Sequence, residues 1–426
     1  MSSCRHRTRA EISQNQFHQL RTLLRTLIPD NRFYTEKLGL VAADVSSLDA
    51  YTRLAWTTKD ELVANQQRHP PYGTNLTFPL EDYTRYHQTS GTSGLPLRWL
   101  DTDSSWDRMI GSWLKILEAA GVTRADRIFF AFSFGPFIGF WLAFEAAVRM
   151  GCLCLPGGGL NSVARLKCIL DNEATVLCCT PTYAFHLAEV AAREQIRLEN
   201  SKVRRIIVAG EPGGSVPATR AQLNQLWRGA AVFDHHGMTE VGPVTYECPL
   251  LPGTLHVLED DFFPEILEPG TGRKTPAGEI GELVLTTLGR VGSPLLRYRT
   301  GDCVRQSPAD TCLCGRSEMA LQGGILSRVD DMVVVRGVNI YPRAIDEIIR
   351  ACGGIAEYQV RLQNRTGLAE ISVAIEPEPG CADVHGLVQR VENQLQSAFP
   401  LRIPVLALAP QSLPRFEMKA RRWVVS

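Results

Sequence analysis

The sequence lacks an excess of charge of either sign, because 45 basic residues balance 45 acidic ones. This balance argues against nucleic acid or an anionic membrane surface as the main partner. Residues 1–11 contain no apolar stretch of the kind that a secretory leader requires, which predicts that the protein is not exported. The twelve cysteines are irregularly spaced, and we therefore expect reduced thiols in the cytoplasm rather than a disulfide framework.

The sequence also lacks an uninterrupted apolar segment that could span a membrane. Residues 128–148 are almost wholly apolar and approach the roughly 20 residues that a bilayer requires. However, Gly135-Pro136 would break a helix midway, and Glu145 would lie unpaired in lipid. We therefore predict a buried strand over 128–134, a turn, and a buried helix over 137–150, with no membrane partner.

The pattern of the remaining chain predicts an α/β fold with more than one domain. Between about 100 and 235, helices alternate with short apolar strands, which is typical of a largely parallel, doubly wound sheet. We expect its strands at 128–134, 152–155, 175–179 and 205–209. A β-rich subdomain is expected over 244–320 within an N-terminal domain of residues 1–329, followed by a small α+β domain over 330–426.

A loop rich in glycine and hydroxyl groups follows a predicted strand at Tyr83–His87. It consists of Thr89, Ser90, Gly91, Thr92, Ser93 and Gly94, whose amides and hydroxyls could wrap a polyphosphate. The loop lacks the Gly-Lys-Ser/Thr ending of a P-loop, so an ordinary polar turn is the alternative. Three other loops follow predicted strand ends and are expected to line the same cleft, at 156–159, 210–214 and 235–240.

Further short motifs accompany this loop along the chain. In order, they are Thr89–Pro96, His236–Glu240, Arg297–Asp302, Ser327–Met332 with Arg336–Pro342, and Leu413–Lys419. Together they resemble the adenylate-forming enzymes, and they are most similar to the phenylacetate–coenzyme A ligase branch. The resemblance implies a large N-terminal domain, a small mobile C-terminal domain, and ATP-dependent activation of a carboxylic acid followed by transfer to coenzyme A.

The resemblance also assigns nucleotide-binding roles to individual residues. The 89–94 loop would hold the β- and γ-phosphates, Thr239 would touch the α-phosphate, and Glu240 would hold Mg²⁺. Asp302 would accept both ribose hydroxyls, since a carboxylate suits a diol. The remaining residues assigned to the nucleotide are Arg328 at the ribose or phosphate, Gly210, Glu211 and Pro212 around the adenine, and His236 with Gly237 beside them.

The C-terminal domain would supply the mobile catalytic group. By resemblance, Lys419 bridges the carboxylate and the α-phosphate in the transition state, and Asp330 is the hinge about which the domain rotates. In the second orientation, Gly337 would leave room for the pantetheine arm of coenzyme A. Without the resemblance, Glu240, Asp302 and Asp330 would read as surface carboxylates and Lys419 as part of a solvated basic tail.

The chain departs from the usual pattern of the family at several positions. Leu95 stands where a lysine is frequent, so one positive charge near the γ-phosphate is absent. Ser93 replaces the usual threonine, His236 replaces a tyrosine that packs near the nucleotide, and Met418 stands where glycine commonly precedes the lysine. These positions bear on catalytic competence without removing an essential role.

A second constellation consists of Cys248, His256, Cys312 and Cys314. Three thiolates and an imidazole are a usual set for structural zinc, and similar residues occur in some members of the phenylacetate–coenzyme A ligase branch. The alternative is unrelated reduced thiols and a core histidine. Because four protein ligands leave no open position, such a metal would stabilise the β-rich region rather than catalyse.

The acyl pocket is expected to be aromatic. Phe134, Phe137, Trp141 and His235 surround the expected carboxylate site, and their rings suit an aryl acid, although such a stripe also fits an ordinary core. His235 would either polarise the carboxylate or cap the strand. The sequence leaves open the identity of the acid, a carrier-protein thiol or an amine as acceptor, a non-catalytic nucleotide-binding homologue, and assembly as a homodimer.

Overall fold

The structure is a computed structural model that describes residues 6–89, 96–329, 331, 333–335, 338–365, 368–399, 401–416 and 421–425. Its α-helices are α1 (Arg9–Leu27), α2 (Arg32–Leu38), α3 (Leu48–Tyr51), α4 (Lys59–Arg68), α5 (Asp103–Ala119), α6 (Trp141–Met150), α7 (Ser162–Asp171), α8 (Pro181–Arg193), α9 (Pro217–Leu226), α10 (Pro342–Cys352) and α11 (Val384–Ala398). Short 3₁₀ turns lie at Leu40–Asp44, Leu80–Asp82 and Leu198–Asn200.

The strands of the described residues follow the order β1 (Tyr83–Gln88), β2 (Arg98–Thr102), β3 (Arg127–Phe130), β4 (Leu153–Pro156), β5 (Val176–Cys179), β6 (Arg205–Val208), β7 (Ala231–Asp234), β8 (Gly237–Met238), β9 (Gly242–Pro243), β10 (Thr245–Glu247) and β11 (Thr254–Val257). They continue with β12 (Phe262–Leu267), β13 (Ile280–Thr287), β14 (Tyr298–Arg305), β15 (Ala320–Gln322), β16 (Ser327–Arg328), β17 (Val333–Val335), β18 (Val338–Ile340), β19 (Ile355–Arg365), β20 (Leu368–Pro377), β21 (Val405–Ala407) and β22 (Trp423–Val425).

A parallel sheet with the strand order β4-β3-β5-β6-β7 lies at the centre of the N-terminal part. Successive side chains of a strand point to opposite faces, so each strand contributes to two cores. Phe130 and Cys178 belong to the core that includes residues of α5 and α6, whereas Phe129 and Leu177 belong to the core with α7, α8 and α9. The prediction of a doubly wound sheet is therefore confirmed.

The segment between β3 and α6 differs from its prediction. The strand ends at Phe130 rather than Phe134, and the helix begins at Trp141 rather than at residue 137. Phe134 has a φ of 52° and Gly139 a φ of 33°, so neither strand nor helix can continue through this segment. The sequence did not reveal how long this turn is, because most of the residues that form it are themselves apolar. For the last strand, β7, the sequence analysis gave no bounds, although it expected the 235–240 loop to follow a strand end.

The β-rich region forms two further antiparallel sheets, with the orders β10-β11-β15 and β12-β13-β14-β16. Near the N-terminus, Thr58 and Glu61 form a reciprocal capping box at the start of α4. The phosphate loop lies between β1 and β2, which pair as a hairpin.

The C-terminal part has its own sheet, of order β21-β20-β19-β22, and a small hairpin of β17 and β18. Its core contains residues from both helices and the sheet, including Ile345, Val360 and Val391, and is separate from the cores of the parallel sheet. Helix α10 contacts α9 of the N-terminal part. None of the helices in the described ranges combines the length and apolar character that crossing a bilayer requires.

Candidate active site

Three polar loops meet at one edge of the parallel sheet. They are the predicted loops 156–159, 210–214 and 235–240, which follow β4, β6 and β7. Parallel strands bring their carboxyl ends to the same edge, which is the usual position of a ligand in such sheets. The fold therefore places at one sheet edge three loops that are far apart in the sequence, and a cleft shared by them stays a prediction.

The phosphate loop is closed at its base by Thr89. The Thr89 N–H donates to the carbonyl of Leu97 at 3.0 Å, and the Leu97 N–H donates to the Thr89 hydroxyl oxygen at 3.0 Å. Thr89 therefore braces the two arms of the hairpin where the loop begins. The other predicted phosphate-binding residues, Ser90, Gly91, Thr92, Ser93 and Gly94, lie outside the described residues.

Thr239 and Glu240 connect β8 and β9, which form a tight hairpin. A Cβ at Gly237 would lie 2.8 Å from the Gly242 carbonyl oxygen, so the hairpin has no room for a side chain there. The Glu240 side chain is only 6% exposed, and its Oε1 lies 3.1 Å from Nζ of Lys59. Glu240 thus offers a carboxylate oxygen to a cation, as a Mg²⁺ ligand must.

Lys59 was not among the residues that the sequence analysis singled out. The preceding Thr57 is fully buried, donates its hydroxyl to the Leu296 carbonyl at 2.8 Å, and accepts the Arg299 N–H at 2.9 Å. These contacts attach the start of α4 to the region of β14. Lys59 therefore reaches Glu240 from a fixed position, which no local sequence pattern indicates.

Asp302 on β14 lies in a charged cluster. The side chain is 4% exposed, Arg328 donates to its Oδ1 at 3.0 Å, and Nε2 of His236 lies 3.2 Å from its Oδ2. Burial by itself would raise the pKa of this carboxyl, but His236 and Arg328 outweigh burial and hold the pKa below its ordinary value. Asp302 is therefore ionised, as an acceptor of two ribose hydroxyls should be.

The loop predicted to frame the adenine is fixed to its neighbours on both sides. Gly210 has a φ of 93°, and the Glu211 carboxylate accepts the Thr182 N–H at 2.7 Å, near the start of α8. Beyond the exposed Pro212, Ser215 donates to Asp234 at the end of β7 at 2.5 Å. The loop consequently keeps a defined shape between β6 and β7.

The predicted acyl-pocket residues are linked by consecutive ring contacts. The ring centroids of Trp141 and Phe134 are 4.9 Å apart, and those of Phe134 and Phe132 are 5.3 Å apart. The series continues through Phe140 to Trp113, whose ring lies 4.5 Å from that of His235. Phe137, also predicted, is half-buried beside Gly135 but is not part of this series in the described contacts.

His235 is a neutral residue in this wall. It is 5% exposed, and burial lowers its pKa to about 3. Its Nδ1 lies 2.7 Å from the Thr245 carbonyl oxygen, so the proton resides on Nδ1 and Nε2 carries the lone pair. A neutral imidazole cannot form an ion pair with a substrate carboxylate, and it can accept a hydrogen bond through Nε2.

Cys248, His256, Cys312 and Cys314 converge in the β-rich region. Their potential ligand atoms all lie within 4.8 Å of one another. The Cys248 and Cys312 sulfur atoms are 3.6 Å apart, and the Cys314 sulfur lies 3.4 Å from Nε2 of His256. The sulfur–sulfur distance is far longer than the roughly 2.05 Å of a disulfide. The fold thus gathers the four residues that the sequence set apart as a candidate metal site.

The catalytic residues expected from the C-terminal domain cannot be placed, because Lys419, Gly337 and Asp330 lie outside the described residues. The chain leading to Lys419 is attached to both domains. Arg415 donates to Glu189 on α8 at 3.0 Å and also pairs with Glu376 on β20 at 2.5 Å. Arg343 on α10 donates to the carbonyls of Gly323 and Ile325 at 2.7 and 2.6 Å.

Comparison with known proteins gives two family matches that together cover most of the chain. The family model of AMP-binding enzymes matches residues 44–289, and the model of the AMP-binding enzyme C-terminal domain matches residues 337–425. The phenylacetate-coenzyme A ligase of Escherichia coli (strain K12) is 30% identical, over 93% of this chain and 90% of that protein. The phenylacetate-coenzyme A ligase of Pseudomonas putida is 28% identical, over 96% of this chain and 93% of that protein.

Solved structures of 2-hydroxyisobutyryl-CoA ligase share the fold of this chain. The postadenylation state in complex with 2-HIB-AMP superimposes with a TM-score of 0.93 at 26% identity, covering 99% of this chain and 91% of that one. The complex of the same enzyme with 2-HIB-AMP and CoA in the thioesterification state gives a TM-score of only 0.74, with the same identity and coverage. The domain arrangement of this chain is therefore closer to the postadenylation state.

These matches agree with the cleft geometry and with the motifs from which the family was predicted. The first family model alone spans more than half of the chain, and the relative from Escherichia coli extends the similarity over nearly all of it. The predicted fold and family are confirmed, and the chain belongs to the AMP-binding enzyme family.

Proposed function

We propose that the protein is an AMP-forming acid–thiol ligase that activates a carboxylic acid with ATP and transfers the acyl group to coenzyme A. The observation that carries this proposal is the contact of His236, which belongs to the same 235–240 loop as the buried Glu240, with the ionised Asp302 on β14. The similarity to phenylacetate-coenzyme A ligases along nearly the whole chain supports the choice of coenzyme A as acceptor.

In the first half-reaction, a carboxylate oxygen of the acid attacks the α-phosphorus of ATP, and the bond to the bridging oxygen of pyrophosphate breaks. Asp302 holds the ribose, Arg328 and His236 keep Asp302 in place, and Thr239 contacts the α-phosphate. Lys419 places its positive charge between the two reacting groups. Glu240 would hold a Mg²⁺ ion, which when bound neutralises charge on the phosphates.

In the second half-reaction, the sulfur of coenzyme A gives up its proton and attacks the acyl carbonyl, and AMP leaves with the electrons of the broken carbon–oxygen bond. We assign this step to a second orientation of the C-terminal domain, residues 330–426, in which Gly337 faces the thiol. The separate core of this part of the chain supports such a rotation. The contacts of Arg343 and Arg415 with the N-terminal part would have to break.

For the acid, we propose an aryl carboxylate. The linked rings from Trp141 to His235 offer flat apolar walls, and the neutral His235 offers no positive charge to an acidic side group. The acid-binding residues in this proposal are Phe134, Phe137, Trp141 and His235. The alternative is an acyl transfer to a carrier-protein thiol or to an amine. It predicts a turnover rate that does not depend on coenzyme A.

For the Cys/His cluster, we propose a structural zinc ion held by Cys248, His256, Cys312 and Cys314. Four ligands around zinc with bonds of about 2.3 Å to sulfur and 2.0 Å to nitrogen lie about 3.5–3.8 Å apart. The separations of 3.6 Å between Cys248 and Cys312 and 3.4 Å between Cys314 and His256 fit this geometry. Nδ1 of His256 lies 3.4 Å from the Glu318 carbonyl oxygen, which leaves Nε2 for the metal.

The thiols outside this cluster support a cytoplasmic location. The cysteines in the described ranges are free, and burial raises the pKa of Cys152, Cys154, Cys178 and Cys179 above the ordinary value for a thiol. Free thiols of this kind are typical of proteins in a reducing compartment.

Acid-dependent exchange between ATP and pyrophosphate tests the proposed function. We expect exchange with one class of acid in a panel of aryl, arylacetic and aliphatic acids, and a thioester once coenzyme A is added. If folded, zinc-containing protein shows no exchange with any acid, the proposed ligase activity is contradicted. Exchange followed by acylation of a carrier protein, without a thioester of coenzyme A, would show that the acceptor is the carrier protein and not coenzyme A.

Replacing Lys59 by glutamine is expected to reduce exchange about 5- to 10-fold, with most of the effect in the KM for ATP. Lys59 lies beside Glu240, and Leu95 stands where many relatives carry the lysine of the phosphate loop. We therefore expect Lys59 to supply part of the missing positive charge near the leaving pyrophosphate. The measurement is the exchange rate as a function of ATP at saturating Mg²⁺.

Lys37→Gln is the matched control for this variant. Lys37 also pairs with a glutamate of α4, Glu61, at 2.6 Å, but away from Glu240. We expect this variant to exchange at the wild-type rate. Equal KM values for ATP in Lys59→Gln and the wild type would show that Lys59 only neutralises Glu240 in the free enzyme.

A further inference from the structure

Arg290 is a buried arginine that connects strand β2 to the hairpin of β8 and β9. Its side chain is 2% exposed, and it lies between β13 and β14. Nε and Nη2 donate to the two oxygens of Asp101, each at 2.6 Å, and Nη1 donates to the carbonyl of Thr239 at 2.7 Å. The guanidinium also lies over the ring of Trp99, 5.4 Å from its centroid.

The two partners of Arg290 belong to different parts of the nucleotide site. Asp101 is fully buried on β2, the strand that leaves the phosphate loop. Thr239 precedes Glu240 in the segment proposed to contact the α-phosphate and Mg²⁺. One planar group therefore spans the distance between the strand that carries the phosphate loop and the Thr239-Glu240 segment.

The geometry of this connection restricts both partners. A guanidinium presents its donors in a rigid plane, so the bidentate pair with Asp101 also fixes the direction of Nη1. The Thr239 carbonyl must then point at Arg290, and the following N–H, of Glu240, points the opposite way because the peptide is trans and planar. Arg290 thereby sets the orientation of the peptide that joins Thr239 to Glu240.

We propose that Arg290 is a positioning residue for adenylation, which holds β2, the strand that follows the phosphate loop, and the Thr239-Glu240 segment at the separation that ATP requires. This inference rests on the proposed function of the cleft. Adenylation needs both loops, because ATP spans them. Thioester formation from a ready-made acyl-adenylate needs only the α-phosphate side, because no β- or γ-phosphate is present.

The test is a double variant, Asp101→Leu with Arg290→Met, which replaces the buried ion pair by apolar groups of similar size. Such replacements commonly leave the fold intact, whereas removing one partner alone leaves a buried charge unpaired. We expect adenylation, measured by pyrophosphate exchange, to fall about 30-fold with a raised KM for ATP. Thioester formation from the synthetic acyl-adenylate should stay within about 3-fold of wild type.

The matched control is Glu265→Leu with Arg297→Met. Arg297 and Glu265 form an equally buried bidentate pair, with bonds of 2.9 and 2.8 Å, and Nη1 of Arg297 likewise donates to a backbone carbonyl, that of Leu54. This set of contacts joins Glu265 on β12, Arg297 before β14 and Leu54, and none of these three residues is among the proposed ligand-binding residues. We expect the control variant to keep adenylation within about 3-fold of wild type when equal amounts of folded protein are compared.

Wild-type adenylation in the folded double variant would overturn the inference, and so would an equal loss in the control variant or an equal loss in both half-reactions. If the double variant does not fold, Arg290→Lys decides the question, because lysine keeps the charge beside Asp101 without the planar fork. We expect at least a 5-fold loss of adenylation in it, and a wild-type rate would contradict the proposal. Absence of exchange in the wild-type protein would refute the proposed function itself.

Discussion

Replacing Lys419 by alanine is expected to lower acid-dependent ATP–pyrophosphate exchange roughly 10²- to 10³-fold. A preorganised positive charge between the carboxylate and the α-phosphate acts mainly on the transition state, so the loss should appear in kcat more than in the KM for ATP. Thioester formation from a synthetic acyl-adenylate should remain near the wild-type rate, because in the proposed mechanism Lys419 leaves the site when the C-terminal domain rotates. Both half-reactions are measured separately on the same preparation.

Arg421→Ala is the control for this experiment, since Arg421 is an exposed basic residue two positions further along. We expect no change in either half-reaction for the control. If Arg421→Ala and Lys419→Ala reduced exchange equally, the basic segment would act through its net charge. That result would contradict the specific role proposed for Lys419. A Lys419→Ala variant with wild-type exchange would favour the non-catalytic nucleotide-binding homologue.

Arg415 attaches the described chain that precedes Lys419 to both parts of the protein. Arg415, four residues earlier, pairs with Glu376 of the C-terminal sheet and with Glu189 of α8. The first pair ties the segment to its own domain, and the second ties it to the N-terminal part. The closer match to a postadenylation structure than to a thioesterification structure agrees with a domain orientation that serves the first half-reaction.

Removal of the proposed zinc ligands is expected to have the largest effect on stability. The variant Cys312→Ala with Cys314→Ala should lose the zinc ion, about one per chain in the wild type, and its Tm should fall by roughly 10 °C. The turn of Cys312, Cys314 and Gly315 would lose its attachment to β10 and β11, which lead back to the Thr239-Glu240 segment. Metal analysis and thermal unfolding measure the two effects.

The chain offers a matched pair of cysteines for the control. Cys152 and Cys154 have the same spacing as Cys312 and Cys314, and they lie beside β3 in the parallel sheet, away from the cluster. The variant Cys152→Ala with Cys154→Ala should keep its zinc. Zinc lost equally from both variants, or retained in Cys312→Ala with Cys314→Ala, would contradict the metal site.

Much of the cleft could be predicted from the sequence, because its motifs are local and chemically distinctive. The predicted Asp302 and Arg328 are adjacent in the structure, as the family resemblance implied, and the four Cys and His residues converge. The segment between β3 and α6 shows the opposite case. The turn at Gly135-Pro136 was predicted, but the apolar residues on both sides of it fit a strand and a helix equally well. Only the positive φ angles of Phe134 and Gly139 show how far the turn extends.

Lys59 and Arg290 show what could not be predicted. Lys59 begins an ordinary capped helix, and Arg290 follows an ordinary strand, so neither has a local signal of function. Their partners, Glu240 and Asp101, are 181 and 189 residues away in the sequence. Such long-range contacts depend on how separate elements pack, which periodicity and spacing do not encode.

The sequence by itself determined the family, the α/β character and the chemical groups available for adenylation, because these depend on residue type and local order. The tertiary structure decided which charges meet. It placed Lys59 at Glu240, His236 and Arg328 at Asp302, and Arg290 between Asp101 and Thr239. The physical reason is that a buried charge requires a partner, and the packing of distant strands and helices selects that partner.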